Sequence, residues 1–262
     1  MQPPRHISFA LLLAVGLIVP CARGADEKKS IYNQPADPAA AVRAEPTPKN
    51  EPTDEEKKEG FVSIFNGHDL DNWVYGKPRK GEGVNKAGKG YQVENGIIYS
   101  TKTDGGNMFT KQEYADFILR FEFKLTPSAN NGIGIRAPMT GDVAYTGMEI
   151  QILDENGPAY HKPNREIRPA QYHGSIYDVF PAKAGHLKPV GEWNEEEIMA
   201  QGRHVKVTLN GTIIVDANLD DAKDPEVLKK HPGLQNKSGH IGFLGHGAMV
   251  EFRNLRVKDL TK

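Results

Sequence analysis

The sequence predicts an all-β fold, a β-sandwich, and three observations carry that prediction. Along 117–125 apolar and polar residues alternate: Phe117, Leu119, Phe121, Phe123 and Leu125 share one face, Arg120, Glu122 and Lys124 the other. Successive side chains of a strand point to opposite sides, so this alternation is a half-buried strand. Asn95-Gly96 and Asn210-Gly211 each sit between short alternating runs. A two-residue hairpin turn needs positive φ at both central positions, which Asn and Gly supply. Helical periodicity is weak throughout. Many short strands with frequent turns bury their apolar faces by packing sheet on sheet.

In chain order, the first segment reads as an address. Arg5 and His6 precede an apolar run over 9–19, and Ala22-Arg23-Gly24 follows it. The run is too short to cross a bilayer and right for the core of a signal peptide, with small residues where signal peptidase reads. Residues 1–24 are therefore expected to be removed, with the protein exported to the periplasm or beyond. A lipid anchor through Cys21 is the weaker alternative, because Pro20 stands where lipoprotein signals carry a small residue. Cys21 is the sole cysteine. No intrachain disulfide or multi-cysteine zinc site can form, and a cleaved chain without thiols suits an oxidising compartment.

From residue 25 to Glu59 the composition changes. Pro35, Pro38, Pro46, Pro48 and Pro52 interrupt any periodic pattern, and 53–59 is almost all charge. Such a stretch buries too little apolar surface to offset chain entropy, which predicts a flexible tether over 25–59. One domain is expected over 60–262.

Within that domain, Tyr91 and Val93 alternate up to the first Asn-Gly turn, and 97–99 returns. The 117–125 strand follows. Ile133 and Ile135, then Met148, Ile150 and Ile152, mark two more inward rows. Val205, Val207 and Leu209 lead into the second Asn-Gly turn and a strand over 212–215. Pro225–Lys230 offers one or two helical turns. A strand over 239–244 precedes Val250 and Phe252, which share one parity; Leu255 and Val257 resume after an odd step. An odd step in an alternating strand predicts a β-bulge near Arg253-Asn254. No internal repeat is evident.

Charge narrows the function. Lys plus Arg total 33 against 34 Asp plus Glu, a net charge of -1. No basic excess exists to neutralise phosphates, so nucleic acid is not an expected partner. No stretch is long and apolar enough for a spanning helix. The chain has no Gly-rich phosphate loop and no Gly-x-Ser-x-Gly elbow. The histidines lack the helical spacing of a zinc protease.

The chemistry is expected on one sheet face. If Met148, Ile150 and Ile152 point inward, Glu149 and Gln151 point the other way, onto the concave floor of a curved sandwich. In 130–136 the glycines 132 and 134 and Arg136 share a side, and glycine there leaves room for a ligand. Arg136 could pair with Glu149 or bind ligand oxygens with its fixed fork of donors. His173, Tyr177, Trp193 and Asn194 lie in loops, where aromatics and amides stack on sugar rings and bond their hydroxyls. His246 shares parity with Gly242 and Leu244, opposite Ile241 and Phe243. Each of these polar residues also has a bland reading, as a solvated face, a structural ion pair or a satisfied loop histidine.

The residues of 61–73, Phe-Val-Ser-Ile-Phe-Asn-Gly-His-Asp-Leu-Asp-Asn-Trp, resemble the LFNG-x-DL-x-x-W opening of the exported bacterial 3-keto-disaccharide hydrolase family. Tyr91-x-Val93-Glu94-Asn95-Gly96, Asn131-Gly132-Ile133-x-x-Arg136 and Glu149-x-Gln151-Ile152-Leu153-Asp154 fit the same family in order. So do Gly191-Glu192-Trp193-Asn194, Leu209-Asn210-Gly211 and Ile241-Gly242-x-x-x-His246-Gly247. The resemblance implies a concanavalin A-like jelly-roll and action on sugars oxidised at C3. The family often carries Gln where this chain has Leu244, which removes one polar contact just before His246.

A ketone at C3 acidifies the C2 hydrogen. A base removes it, the C1 substituent leaves by elimination, and water adds to complete net hydrolysis. Glu149 or His246 could be the base. Arg136, or a divalent metal on Glu149 or a nearby His, could steady the enolate. Asn131, Gln151, Asp154, His173, Tyr177, Trp193 and Asn194 are the expected substrate contacts. Two rival readings stay open. One is a retaining jelly-roll glycosidase using Glu149-x-Gln151-x-x-Asp154, which needs two carboxyls about 5 Å apart. The other is a carbohydrate-binding, lectin-like module that cleaves nothing.

Overall fold

In the computed structural model, residues 46–76, 90–101, 106–162 and 165–261 are described. The expected signal segment and the expected tether as far as residue 45 lie outside them. The strands are β1 (Val62–Ser63), β2 (Trp73–Tyr75), β3 (Tyr91–Glu94), β4 (Ile97–Ser100), β5 (Asn107–Tyr114), β6 (Phe117–Leu125), β7 (Asn130–Ala137), β8 (Met148–Leu153), β9 (His161–Lys162), β10 (Arg165–Glu166), β11 (Trp193–Gln201), β12 (His204–Leu209), β13 (Thr212–Asn218), β14 (Gly239–Leu244) and β15 (Val250–Asp259). Among the described residues three short α-helices accompany them: α1 (Asp54–Glu59), α2 (Val143–Thr146) and α3 (Pro225–Lys230).

Two antiparallel sheets form the domain. One has eight strands, ordered β13-β12-β11-β6-β15-β4-β3, with β1 also on β15; the other has five, ordered β2-β5-β14-β7-β8. β9 and β10 pair separately. The chain passes repeatedly from one sheet to the other, as at β4–β5, β5–β6, β6–β7, β8–β11, β13–β14 and β14–β15, the connectivity of a jelly-roll sandwich of the concanavalin A-like kind.

The alternation in the sequence sets the packing. The even-spaced apolar row of β6 is buried and its partners are half-buried. Phe243 of the small sheet meets Phe252 of the large one at 4.3 Å between ring centroids, with Trp73 and Tyr91 also against Phe243. Removing one such ring costs about 3–5 kcal/mol. Both Asn-Gly turns have the required backbone: φ is 51° and 76° at Asn95 and Gly96, and 48° and 82° at Asn210 and Gly211. The bulge in β15 is present as well. Its pairing with β6 shifts register between Arg253 and Arg256, and Asn254 has φ 53°.

The flexible tether does not extend to Glu59. Residues 46–59 are structured, for three physical reasons. Asn50, 2% exposed, exchanges hydrogen bonds with the bulge residue: its N–H donates to Asn254 Oδ1 at 3.2 Å and its Oδ1 accepts from the Asn254 N–H at 2.8 Å. The charge run is α1, closed by a reciprocal capping box between Thr53 and Glu56. Finally, the Glu56 carboxylate accepts from Arg256 Nε at 2.7 Å and Arg120 Nη1 at 3.1 Å on the outer face of the large sheet. Burial alone would raise its pKa, but the two arginines and the Thr53 amide outweigh that and hold it below the usual carboxylate range.

β11 is a second departure. Trp193 and Asn194 open a strand rather than a loop, because its inward row runs Asn194, Glu196, Ile198, Ala200. A carboxylate occupies a core position there, which hides the strand from any apolar alternation.

Candidate active site

β8 lies at the edge of the small sheet. Met148, Ile150 and Ile152 enter the core, and Glu149 and Gln151 point outward, yet each is only 4% exposed. The cover comes partly from the segment after His173, which extends the sheet. Ile176 bridges Ile150, the Tyr177 N–H donates to the Glu149 carbonyl at 2.9 Å, and the Gln151 N–H donates to the Ser175 carbonyl at 3.1 Å. Ile176 is buried in the core, so Tyr177 takes the outward side with Glu149.

On the other side lies β7, with Gly134 opposite Glu149 and Gly132 opposite Gln151. A Cβ on Gly132 would lie 2.7 Å from both Cγ and Cδ of Glu149. The carboxylate thus rests over the Gly132 backbone, in the space where the sequence suggested a ligand. The space at Gly134 faces Val143 and Leu244. These two residues, with Phe109 and Ala137, form a small apolar cluster apart from the main core. Leu244 therefore packs rather than binds.

Glu149 Oε1 is buried without a hydrogen bond, and His246 Nε2 stands 3.7 Å from it. The imidazole, 49% exposed, sits at the rim. Burial pushes the Glu149 carboxyl above its usual range, with His246 opposing; the Glu149 carboxylate in turn raises His246. Gln151 Oε1 is also buried without a hydrogen bond. Two adjacent acceptors, unsatisfied and removed from bulk water, require donors from a bound molecule or ordered water.

Tyr177 completes this face. Its phenol oxygen accepts from Gln171 Nε2 at 2.9 Å. Burial first, then the Asp178 charge, raises its pKa, with smaller contributions from Tyr145 and Glu149. Asp178 adopts φ 59° and is clamped by Arg168 Nη2 at 2.6 Å and Lys230 Nζ at 3.0 Å. The Lys230 ammonium lies 4.9 Å from the Tyr145 ring centroid. The arrangement sets a desolvated carboxylate beside a rim imidazole and, on the flanking segment, a phenol that burial keeps protonated.

A family model describing the 3-keto-alpha-glucoside-1,2-lyase-like domain matches residues 60–258, nearly all of the sandwich. The chain belongs to that family. A relative named 3-keto-disaccharide hydrolase, from Bacteroides thetaiotaomicron, is 25% identical over 293 aligned positions, spanning 96% of this chain and 97% of the relative. Two solved structures from Parabacteroides distasonis, both provisionally described as glycosyl hydrolases, share the fold at 25% identity. The first superimposes with a TM-score of 0.65 over 80% of this chain and 99% of its own; the second with 0.63 over 76% and 99%.

Several expected site residues of this family member lie elsewhere. Arg136 is only 2% exposed and points away from Glu149. Its φ of 46° breaks the alternation of β7, and its guanidinium donates to the carbonyls of Ala115 at 2.8 Å and Gly202 at 2.7 Å and to Asp116 at 3.0 Å. It ties loops together and cannot steady an enolate at Glu149. Asn131 has the parity of Ile133, not of the glycines, and donates to the Tyr91 hydroxyl in the core at 3.2 Å. Asp154 accepts from the Ser128 N–H at 2.7 Å and shapes a turn.

His173 is fully buried. Its Nδ1 accepts from the Leu153 N–H at 3.2 Å, so Nε2 carries the proton and donates to Glu196 at 3.0 Å. It stacks on Phe123 at 5.0 Å, between the sheets. Asn194, buried at the start of β11, accepts from the Lys188 N–H and from Asn210 Nδ2 of the adjoining loop and turn. Trp193 lies on the outer face of the large sheet beneath Arg253 and Lys124. Glu149, Gln151, Tyr177 and His246 are the predicted residues that the fold brings together. Gln171 and the Asp178 clamp were not legible, because loop residues with Pro-Ala spacers carry no periodicity.

Among the described residues no group of three or more His, Cys, Asp or Glu side chains could hold a metal ion. Glu149 and His246 offer two donors, fewer than the three protein ligands typical of a catalytic zinc. The side chains present do not by themselves fit a resident ion.

Proposed function

We propose that this chain is an exported carbohydrate-active enzyme that cleaves the glycosidic bond of 3-keto-glycosides by elimination and hydration. The observation that carries the proposal is the Glu149 carboxylate, buried and without a hydrogen bond on Oε1, with His246 at 3.7 Å. A base must be near the working pH to take a carbon-bound proton, and desolvation shifts a carboxyl in that direction. Glu149 accepts the C2 proton. The imidazolium of His246, at the rim, is placed to give a proton to the departing C1 oxygen. Gln151 Oε1 accepts from a sugar hydroxyl. The relative's name, 3-keto-disaccharide hydrolase, and the family description support the choice of sugar. The charge and small-residue pattern of 1–24 supports export.

A retaining glycosidase needs a second carboxyl beside the first. Asp154, the residue expected there, is held by the Ser128 N–H in a turn. Elimination needs one base. The deciding experiment mixes purified protein with a 3-keto-glucoside and, separately, with the unoxidised parent, and follows the aglycone. Release from the keto substrate alone is expected. Equal release from both would establish a glycosidase, and binding without release would establish a lectin. The same assay with a chelator tests a metal requirement.

A further inference from the structure

With Arg136 bonded elsewhere, the elimination lacks a donor for the oxygen that becomes negative when C2 loses its proton. The geometry points to Tyr177: we propose that its phenol is a catalytic residue that donates a hydrogen bond to the C3 oxygen of the keto sugar. This rests on the elimination reading above and adds to it the electrophilic half of the reaction.

The argument is one of placement and of where each donor is already engaged. Tyr177 shares the outward side of the sheet with Glu149, fixed by the bond from its own N–H to the Glu149 carbonyl and by the Ile150–Ile176 bridge. Among the neighbouring donors, Gln171 Nε2 is bonded to the phenol oxygen, and Arg168 of the same loop and Lys230 of α3 clamp Asp178. A hydroxyl has one proton to give and two lone pairs to receive with. Since Gln171 donates to it, the Tyr177 oxygen is already an acceptor, and its proton is directed to another partner. Burial first, then the negative charge of Asp178 with a small addition from Glu149, keeps that proton on the phenol oxygen. A phenol so held is a donor and not a rival base.

The step balances without a further reagent. The C2–H bond breaks and its proton passes to Glu149. The electron pair forms C2=C3, and the C3=O π pair moves onto oxygen, where the Tyr177 O–H donates a hydrogen bond but keeps its proton. The pair then returns to C3=O, C1=C2 forms, and the C1–O bond breaks with a proton from His246. Water adds across C1=C2, its hydroxyl to C1; Glu149 returns a proton to C2 and His246 regains one. Gln171 acts through the phenol and is a positioning residue.

The test measures exchange of the C2 hydrogen in deuterated water, with kcat, KM and melting temperature, for wild type, Tyr177→Phe and Gln171→Leu on a 3-keto-glucoside. Loss of one oxyanion donor lowers kcat by about 100- to 1,000-fold. Tyr177→Phe should therefore lose exchange and kcat together by about that factor, with KM and melting temperature close to wild type. Gln171→Leu should lose less, with the same split between kcat and KM, and it decides the matter if Tyr177→Phe does not fold. Exchange within threefold of wild type in folded Tyr177→Phe overturns the proposal, and so does the same result in Gln171→Leu where Tyr177→Phe does not fold. If wild type itself neither exchanges nor releases aglycone, the elimination reading falls, and the role of Tyr177 falls with it.

Discussion

The Glu149 carboxylate lies directly over the Cα of Gly132, on the neighbouring strand, where a Cβ would fall 2.7 Å from its Cδ. That contact sets the position of the base, because the carboxylate has no hydrogen bond on Oε1 to hold it. Gly132→Ala must push the whole carboxylate aside, since Cγ as well as the carboxyl carbon is in the way. Misplacing a catalytic group by about 1 Å costs on the order of 100-fold. The variant should lose activity on that scale while its melting temperature falls only slightly. Wild-type turnover in Gly132→Ala would show that the carboxylate is not positioned there.

The pH dependence follows from the same pair. Glu149 works ionised, so kcat/KM should rise as pH climbs through its raised pKa, above the usual ~4.3 of a Glu side chain. His246 works protonated, so the rate should fall as pH climbs through its own raised pKa, above the usual ~6.5. The two groups are coupled, and the limbs of the bell belong to the pair. A full rate at the ordinary carboxylate pKa would contradict the burial of Glu149.

Glu56 should matter to stability although it lies in a charge run before the family domain. Hydrogen bonds to charged groups contribute about 1.5–3 kcal/mol, so Glu56→Gln should lose roughly 2 kcal/mol by denaturant titration at neutral pH. Its folded pKa is lowered. Its contribution is therefore present above the unfolded carboxyl value and lost as pH falls through the lower folded one. A chain beginning at Gly60 should be less stable still. Equal stability of the two chains would mean that α1 only decorates the sheet.

Arg136→Ala should behave as a folding variant. Leaving a buried hydrogen-bonding group without its partner costs about 1–3 kcal/mol, and the carbonyls of Ala115, Gly202 and Asn236 lose their shared donor here. The folded fraction should keep an ordinary KM. A stable Arg136→Ala protein with no turnover would return Arg136 to the site.

Much of the sandwich was legible because burial follows a period of two. The rows of β6, β12 and β15, both Asn-Gly turns and the bulge at Asn254 all followed from spacing and local chemistry. β11 was not legible, since Glu196 stands where an apolar residue was expected and its Oε2 is met by His173, a residue distant in sequence, while its Oε1 is buried without a hydrogen bond. The site was legible in part. Parity placed Glu149, Gln151 and His246 on one outward face. The same parity failed at Arg136, where a positive φ turns the side chain away. Asn131 failed for a simpler reason: it has the inward parity of Ile133. The tether was overextended because composition alone cannot show that Glu56 answers Arg120 and Arg256.

The central claim is that Glu149 removes the C2 proton of a 3-keto-glycoside, and the most direct test is C2 hydrogen exchange in deuterated water by wild type and Glu149→Gln. Wild type should exchange the C2 hydrogen and release the aglycone. Glu149→Gln should do neither. Its melting temperature at neutral pH should be equal or higher, because a buried carboxyl with a raised pKa destabilises the fold when ionised. Exchange by Glu149→Gln at a rate within threefold of wild type would contradict the account and move the base to His246.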